Sequence, residues 1–187
     1  DVSSTTGAGV PSGTVQMTAT AGITQDGNPT AITAKYLRLI STGGNVTLTN
    51  ANNDVDTLAA LLSGASSLDY NDLDGLALDA VPAAGLLAGA AILTTNDVKV
   101  AGANTIKIKT GGTLTSTTNG DVVSTGAGAT AGGEILLWVT SGNIALDGDV
   151  TANSGTGAGG TITLRTDAGS INVNDVSSTG TPSGTVQ

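Results

Sequence analysis

Short runs in which aliphatic residues alternate with polar residues recur along the chain, and most of them end at a glycine-containing turn. In GGTITLRTDAGSINVNDVSSTG (159–180), Ile162 and Leu164 alternate with threonines. After a turn, Ile171 and Val173 alternate with polar residues again, and a third short run follows. Alternation with a period of two is typical of β-strands with one buried face. The pattern therefore predicts three short strands per repeat, joined by turns.

The same order of runs recurs in the preceding stretch, GGEILLWVTSGNIALDGDVTANSGTGAGG (132–160). We take the first inward-facing aliphatic residue of each repeat as a marker. The markers are Val15, Val46, Leu68, Ile92, Leu114, Ile135, Ile162 and Val186. Self-similarity at a period of roughly 20 to 50 residues is the sequence signature of repeat architectures. The markers predict about seven stacked coils.

A single repeat of this kind cannot bury its own aliphatic side chains, so the repeats must stack, each strand pairing with its counterpart one coil further on. We therefore predict an all-β fold, a parallel β-helix of about seven coils with three short strands each, over residues 1–187. Val, Ile and Leu are expected to point inward, and Thr, Lys and Arg outward. At about 4.8 Å per coil, seven coils give a rod roughly 34 Å long.

The composition suits a narrow interior filled by identical layers. Hydrophobic residues make up 39% of the chain, but there is no Phe, one Trp and two Tyr, so the core must consist mainly of Val, Ile, Leu and Ala. Cysteine and histidine are absent. Their absence excludes disulfides, thiolate metal sites and the usual general base near neutral pH.

The net charge is −9, from 15 acidic and 6 basic residues. Nucleic acids and anionic membranes require clustered Lys and Arg, so neither is an expected partner. The longest apolar run, 75–93, contains Asp79, Pro82 and several glycines. It is therefore not expected to insert into a membrane.

The block GGNVTLTNANNDVDTLAA (43–60), together with the two glycine-started repeats after Gly132, resembles the haemagglutination-activity repeats of filamentous-haemagglutinin-like adhesins. The resemblance spans essentially the whole chain. It implies a right-handed parallel β-helix and a role as the structural shaft of a giant secreted or surface adhesin of a diderm bacterium. The family's amino-terminal secretion domain has no counterpart in this sequence.

The densest cluster of candidate metal ligands lies in DYNDLDG (69–75). Calcium candidates there are Asp69, Asn71, Asp72 and Asp74. The spacing has one residue too many for an EF-hand loop and lacks its final Glu. Solvated carboxylates in a turn at a coil corner are therefore the favoured interpretation, calcium is at most an accessory, and no other cofactor is expected.

Some parallel β-helices bind or degrade polysaccharides, which is the alternative function. Degradation requires a carboxylate pair or aspartates gathered on one strand face. Here the acids fall about one per turn and Glu134 is the only glutamate, so no enzyme is predicted. GTGAGG (155–160) precedes a predicted strand, which is wrong for a phosphate-binding loop. Lys107 and Lys109 alternate on a strand and are expected to form a solvated face.

The two ends of the chain have nearly the same sequence, DVSSTTGAGVPSGTVQ at 1–16 and DVSSTGTPSGTVQ at 175–187. We interpret them as the same structural element. The chain is then an internal piece of a longer extracellular or cell-surface fibre, with neighbouring copies as end-to-end partners and other cells or surface glycans as further partners.

Overall fold

In the computed structural model, residues 12–26, 30–81 and 97–187 are described, together with the backbone of 2–3. All regular secondary structure in these residues is β-strand, and every strand pairing is parallel. The predicted all-β class and parallel pairing are confirmed. The part of the chain that is described contains no helix long and apolar enough to cross a membrane.

The strands follow one another along the chain with short corners between most of them. They are β1 (Val2–Ser3), β2 (Thr14–Ala19), β3 (Ile23–Thr24), β4 (Ile32–Ser41), β5 (Val46–Leu48), β6 (Asp54–Leu62), β7 (Leu68–Asp72), β8 (Leu76–Leu78), β9 (Val98–Ala101), β10 (Ile106–Thr110), β11 (Leu114–Ser116), β12 (Val122–Thr125), β13 (Ile135–Val139), β14 (Ile144–Leu146), β15 (Val150–Thr151), β16 (Thr161–Thr166), β17 (Ile171–Val173), β18 (Val176–Ser177) and β19 (Thr185–Val186).

Seven strands form one sheet, which we call face 1, in the order β19-β16-β13-β10-β7-β5-β3. Each of them pairs with the strand one coil away, and never with its neighbour in sequence. The register puts one column of aliphatic residues through the sheet. The column consists of Ile23, Val46, Leu68, Ile106, Ile135, Ile162 and Val186.

The other twelve strands form a second sheet that runs around two sides of the molecule. Strands β8, β11, β14 and β17 form face 2, and β9, β12, β15 and β18 form face 3. The nine-residue strand β6 joins the faces, because Thr57 and Leu58 pair with β8 while residues 60–62 pair with β9. From β7 onward, each coil therefore has three strands, as the alternation predicted. The arrangement is consistent with a parallel β-helix.

The core is a stack of Val, Ile and Leu side chains between the three faces. Ile162, predicted to point inward, is fully buried in it. One side-chain orientation was predicted wrongly, because Leu61 faces outward on β6 and is 43% exposed. Arg38 lies between the core residues Leu37 and Leu39 on β4, so it faces outward as predicted, but it is covered and only 3% exposed. The run TLAALL (57–62) lies in strand β6.

The predicted marker series is correct in part. One column of face 1 does contain five of the markers, Val46, Leu68, Ile135, Ile162 and Val186.

Two markers were placed wrongly, and a third cannot be compared. Val15 pairs with Leu37 on the second sheet, and Leu114 pairs with Leu76 and Ile144 on face 2. Their places in the column belong to Ile23 and Ile106. The remaining marker, Ile92, lies outside the described residues.

Glycine corners with similar sequences occupy two different edges of the molecule. In the first coils they connect β2 to β3 and β4 to β5, where a Cβ on Gly43 would lie 2.7 Å from the Thr20 carbonyl oxygen. In the last coils they connect β13 to β14 and β16 to β17, where Gly169 (φ +156°) stacks directly on Gly142. Corners of the same kind therefore lie between faces 3 and 1 at one end and between faces 1 and 2 at the other.

Candidate functional site

The four calcium candidates lie on different sides of β7 and its corner. Asp69 and Asn71 face outward, and Asp72 faces the core. Asp74 is exposed in the corner that follows. The prediction of a turn is correct for only part of this stretch. Asp69 to Asp72 form a strand whose alternation separates the side chains, and the corner begins at Leu73, where the Asp74 amide donates to Asp72 Oδ1. The structure does not bring the four into one site.

Each of the two outward-facing side chains is bonded to a residue on a neighbouring coil. The Lys107 ammonium lies 3.2 Å from Asp69 Oδ2, in a partly exposed ion pair. Asn71 donates from Nδ2 to the Thr49 carbonyl at 2.8 Å. Among the described residues, no group of three or more acidic, histidine or cysteine side chains is arranged to hold a metal ion.

Asp72 and Tyr70 form a buried polar pair inside the core. The Tyr70 hydroxyl donates to Asp72 Oδ2 at 2.7 Å, and the Val55 amide donates to the same oxygen at 3.2 Å. The Asp74 amide donates to Oδ1 at 3.3 Å. Burial raises the pKa of Asp72 to about 7, although these hydrogen bonds lower it. Burial also raises the pKa of Tyr70, with a further contribution from the Asp72 charge.

Successive coils bring carboxylates together that are far apart in sequence. Burial raises the pKa of Asp54, and the negative charges of Asp74 and Asp56 raise it further. Sequence analysis missed this group because it placed the acids one per turn, whereas Asp54 and Asp56 lie two residues apart on β6. The two ion pairs found among the described residues are elsewhere, Lys107 with Asp69 and Arg165 with Asp167.

The outer surface of face 1 carries the only tryptophan between two cations. Lys109, Trp138 and Arg165 are register neighbours on β10, β13 and β16. The Lys109 Nζ lies 4.1 Å from the centroid of the indole and the Arg165 Cζ lies 4.6 Å from it. Asp167 accepts from the indole Nε1 at 2.9 Å and from Arg165 Nε at 2.8 Å. We call these three residues the Trp138 row.

The Trp138 row confirms part of the sequence analysis and extends it. Lys107 and Lys109 alternate on the outer side of β10, as predicted. The signal for Arg165 and Trp138 was present in the sequence, since both occupy the same position in their repeats as Lys109. It was missed because the Ile106 repeat was not aligned with the later ones. The strand β16 follows GTGAGG, which confirms that no helix begins there.

The last coil leaves one edge of each face unpaired. In the described part of the chain, β17 pairs only with β14, β18 only with β15 and β19 only with β16. Ile171 is 44% exposed and Val186 is 51% exposed, although both continue aliphatic columns of the core. An unpaired strand edge with exposed apolar residues is a template for another strand.

The first coil leaves the opposite edges of β2 and β3 without a strand partner among the described residues. Gln16 lies on the edge strand β2, and its side-chain Oε1 is shielded from water but has no hydrogen-bond partner. Both ends of the described structure thus present backbone groups that an added coil would satisfy.

The interpretation of the two ends as one structural element is wrong in its geometry. Both carry PSGTVQ, at 11–16 and 182–187. Val15 lies on β2 in the column of Leu37, whereas Val186 lies on β19 in the column of Ile162. Equal sequences therefore occupy different faces at the two ends.

Comparison of the chain with family models, with curated proteins and with solved structures gives no match.

Proposed function

We propose that this chain is a segment of the shaft of an extracellular or cell-surface filament, of the kind found in filamentous-haemagglutinin-like adhesins of diderm bacteria. In this proposal residues 1–187 form a right-handed parallel β-helix of about seven coils, and copies join end to end, as subunits or as tandem repeats. The resemblance of the NDVDTLAA block supports the localisation and the handedness.

One observation carries the proposal, the open last coil. Within the described residues each of its three strands has a free edge, and Ile171 and Val186 expose apolar surface that is buried at the equivalent positions of the preceding coils. Covering this surface with another coil buries apolar area at about 25 cal/mol per Å² and pairs the free backbone groups. A shaft that grows by adding coils uses this end directly.

The experiment is sedimentation velocity and negative-stain electron microscopy of the 187-residue chain over a range of concentrations. We expect elongated oligomers one coil-width across. Val186→Asp places a charge on the open end and is expected to abolish them. Leu61→Asp is the matched control, because Leu61 is similarly exposed at 43% but lies on the side of the molecule. A compact monomer at all concentrations overturns the proposal.

A second candidate function, binding of an anionic polysaccharide without its degradation, is favoured by the Trp138 row. The row gathers two of the six basic side chains of a chain with net charge −9 around its single indole. Beside it a groove of about 390 Å³ is lined by Lys107, Glu134 and five further residues. Cations placed with an aromatic ring on one face suit a sugar that carries carboxylates or sulphates.

This second function is tested by titrating polygalacturonate, with uncharged dextran as the comparison polymer, and following Trp138 fluorescence. Lys109→Ala and Arg165→Ala are each expected to weaken binding of the anionic polymer several-fold. Lys99→Ala is the control, since Lys99 is exposed on β9 of face 3. Equal losses in all three variants, or no binding, would rule out a site at the Trp138 row.

A further inference from the structure

The Trp138 row has a direction, and that direction constrains the ligand that it can bind. We infer that the row holds a linear oligosaccharide of at least three sugars parallel to the long axis of the molecule, with anionic groups of its first and third sugars on Lys109 and Arg165. The inference rests on the second function proposed above, binding of an anionic polysaccharide, and adds the orientation of the ligand and its minimum length.

The first argument is the position of the two cations. Lys109 and Arg165 are the register neighbours of Trp138 on the coils before and after it. Register neighbours lie in a column perpendicular to the strands, along the long axis, and two coils span about 9.6 Å. Both cations lie over the ring between them, at 4.1 Å and 4.6 Å from its centroid, so their charges are separated by this distance or slightly less. One sugar unit of an extended chain is about as long as one coil is tall, so groups on the first and third sugars match the two cations.

The second argument is the charge on either side of the row. Along β10 the next outward cation is Lys107, whose ammonium is already paired with Asp69 at 3.2 Å. On the other side of the row lies the carboxylate of Asp167, which accepts from the indole Nε1 and from Arg165 Nε. A ligand lying along a strand would therefore place one anionic group on Lys109 and the next beside a carboxylate. A ligand lying along the column meets a cation at each end.

The third argument is that Arg165 keeps donors for a ligand although it is paired. A guanidinium carries five N–H donors, and Arg165 uses its Nε to bind Asp167. The two Nη groups form the planar fork that binds a carboxylate in a bidentate manner, and the side chain is 57% exposed. Asp167 therefore orients the guanidinium and leaves its outer donors to the ligand.

The fourth argument is the groove of about 390 Å³ beside the row. Thr105 lines it immediately before β10, and Thr161 and Thr163 line it on β16, so the groove extends over the same coils as the row. The threonine hydroxyls suit the hydroxyl groups of a sugar, whereas Glu134 in the same groove repels an anionic group. The groove therefore fits the uncharged side of a sugar chain whose anionic groups point toward the row.

The test is the dependence of affinity on ligand length. Oligogalacturonides of one to five sugars are titrated at low salt, and binding is followed by the fluorescence of Trp138, the only tryptophan. A monomer or dimer reaches one cation, and a trimer reaches both. We expect the affinity to rise at least about tenfold from dimer to trimer, because the second contact is intramolecular, and less than about threefold with each later sugar. Lys109→Asn is expected to remove this step.

A shifted variant tests the spacing without changing the net charge. Asn71 lies one coil before Lys109 in the same column, so Lys109→Asn with Asn71→Lys moves the cation to three coils from Arg165, about 14.4 Å away. The step at the trimer should then be replaced by a step at a longer oligomer. The matched control is Lys99→Thr with Thr151→Lys, which moves a cation two coils along face 3 and should leave the step at the trimer.

Each outcome decides the inference. A step at the trimer that Lys109→Asn removes and the shifted variant displaces supports the axial ligand. Affinity that rises evenly with length, or a step that the shifted variant leaves in place, overturns it and leaves anionic polysaccharide binding standing. A step removed by Lys107→Ala but not by Lys109→Asn places the ligand along the strands and overturns it as well. If neither the oligomers nor polygalacturonate binds, both fail.

Folding of each variant is checked by its urea unfolding midpoint. If the shifted variant does not fold, the single variants Lys109→Asn and Lys107→Ala still decide between a ligand along the column and a ligand along the strands.

Discussion

Asp72 makes the stability of this protein depend on pH in a direction opposite to that of an ordinary paired carboxylate. Its side chain is 5% exposed and lies beside Tyr70 in the core. The pKa of Asp72 is raised by burial from 3.8 to about 7 in the folded chain. Because the folded state then holds the proton more tightly than the unfolded state, the contribution of Asp72 to stability is largest below about pH 4, falls as the pH rises toward 7 and is constant above that.

The magnitude follows from the size of the pKa change. A pKa that rises from 3.8 to about 7 corresponds to at most about 4 kcal/mol lost between the two ends of that pH range. Asp72→Asn removes the titration. The oxygen of the Asn amide still accepts from the Tyr70 hydroxyl and the Val55 amide. Its NH₂ group replaces Oδ1, which accepts from the Asp74 amide, and loss of that hydrogen bond costs about 1 kcal/mol of stability.

The variant is therefore expected to be less stable than the natural chain by about 1 kcal/mol at pH 4 and more stable by about 3 kcal/mol at pH 8. The assay is urea unfolding followed by circular dichroism at both pH values. Asp69→Asn controls for the loss of one negative charge, and since Asp69 is in a partly exposed ion pair its removal should change stability by less than about 1 kcal/mol. A difference between variant and natural chain that has the same sign and size at both pH values would refute the reasoning.

Two further predictions follow from the core and from the acidic strand. Ile162→Asp should destabilise the fold by several kcal/mol, because an unpaired carboxylate replaces a fully buried side chain, whereas Thr163→Asp, next to it and outward, should change the unfolding free energy by less than about 0.5 kcal/mol. Equal effects in urea titrations of the two variants would contradict the assignment of faces. Chelator should leave the thermal unfolding midpoint unchanged, because Asp69, Asn71, Asp72 and Asp74 do not converge. A drop of many degrees on adding chelator would show that the acidic residues bind calcium.

The class of fold was predictable because it depends on a local signal that repeats. Alternation at Ile162 and Leu164, and again at Ile135 and Leu137, requires one buried face per strand, and only stacking covers it. The structure pairs Ile135 with Ile162 and Leu137 with Leu164, as stacking requires. No run with helical periodicity is long enough for a stable helix, so fold classes that contain helices were excluded from the sequence alone.

The sites were less predictable because they are made by residues on different coils. Trp138 meets Lys109 and Arg165 only when the repeats are aligned correctly, and the incorrect alignment through Leu114 separated them.

The prediction of a turn in the acidic stretch 69–72 was wrong for another reason. Its density of Asp and Asn suggested a turn, yet Leu68 and Tyr70 are buried on alternate positions, and burial of these two side chains outweighs the turn preference of their neighbours.

The edge of the coil that holds a tight glycine corner is the property that local sequence does not determine. A glycine corner such as TAG or DAG specifies a tight bend between two strands, but it fits more than one edge of the coil. The corner 20–22 lies between faces 3 and 1, whereas the corner 167–170 lies between faces 1 and 2. Corner length does not determine the edge either, because the four-residue corner 102–105 stacks beside the nine-residue corner 126–134. Local sequence therefore predicts the bend, and the pairing of whole strands with the neighbouring coil determines which edge holds it.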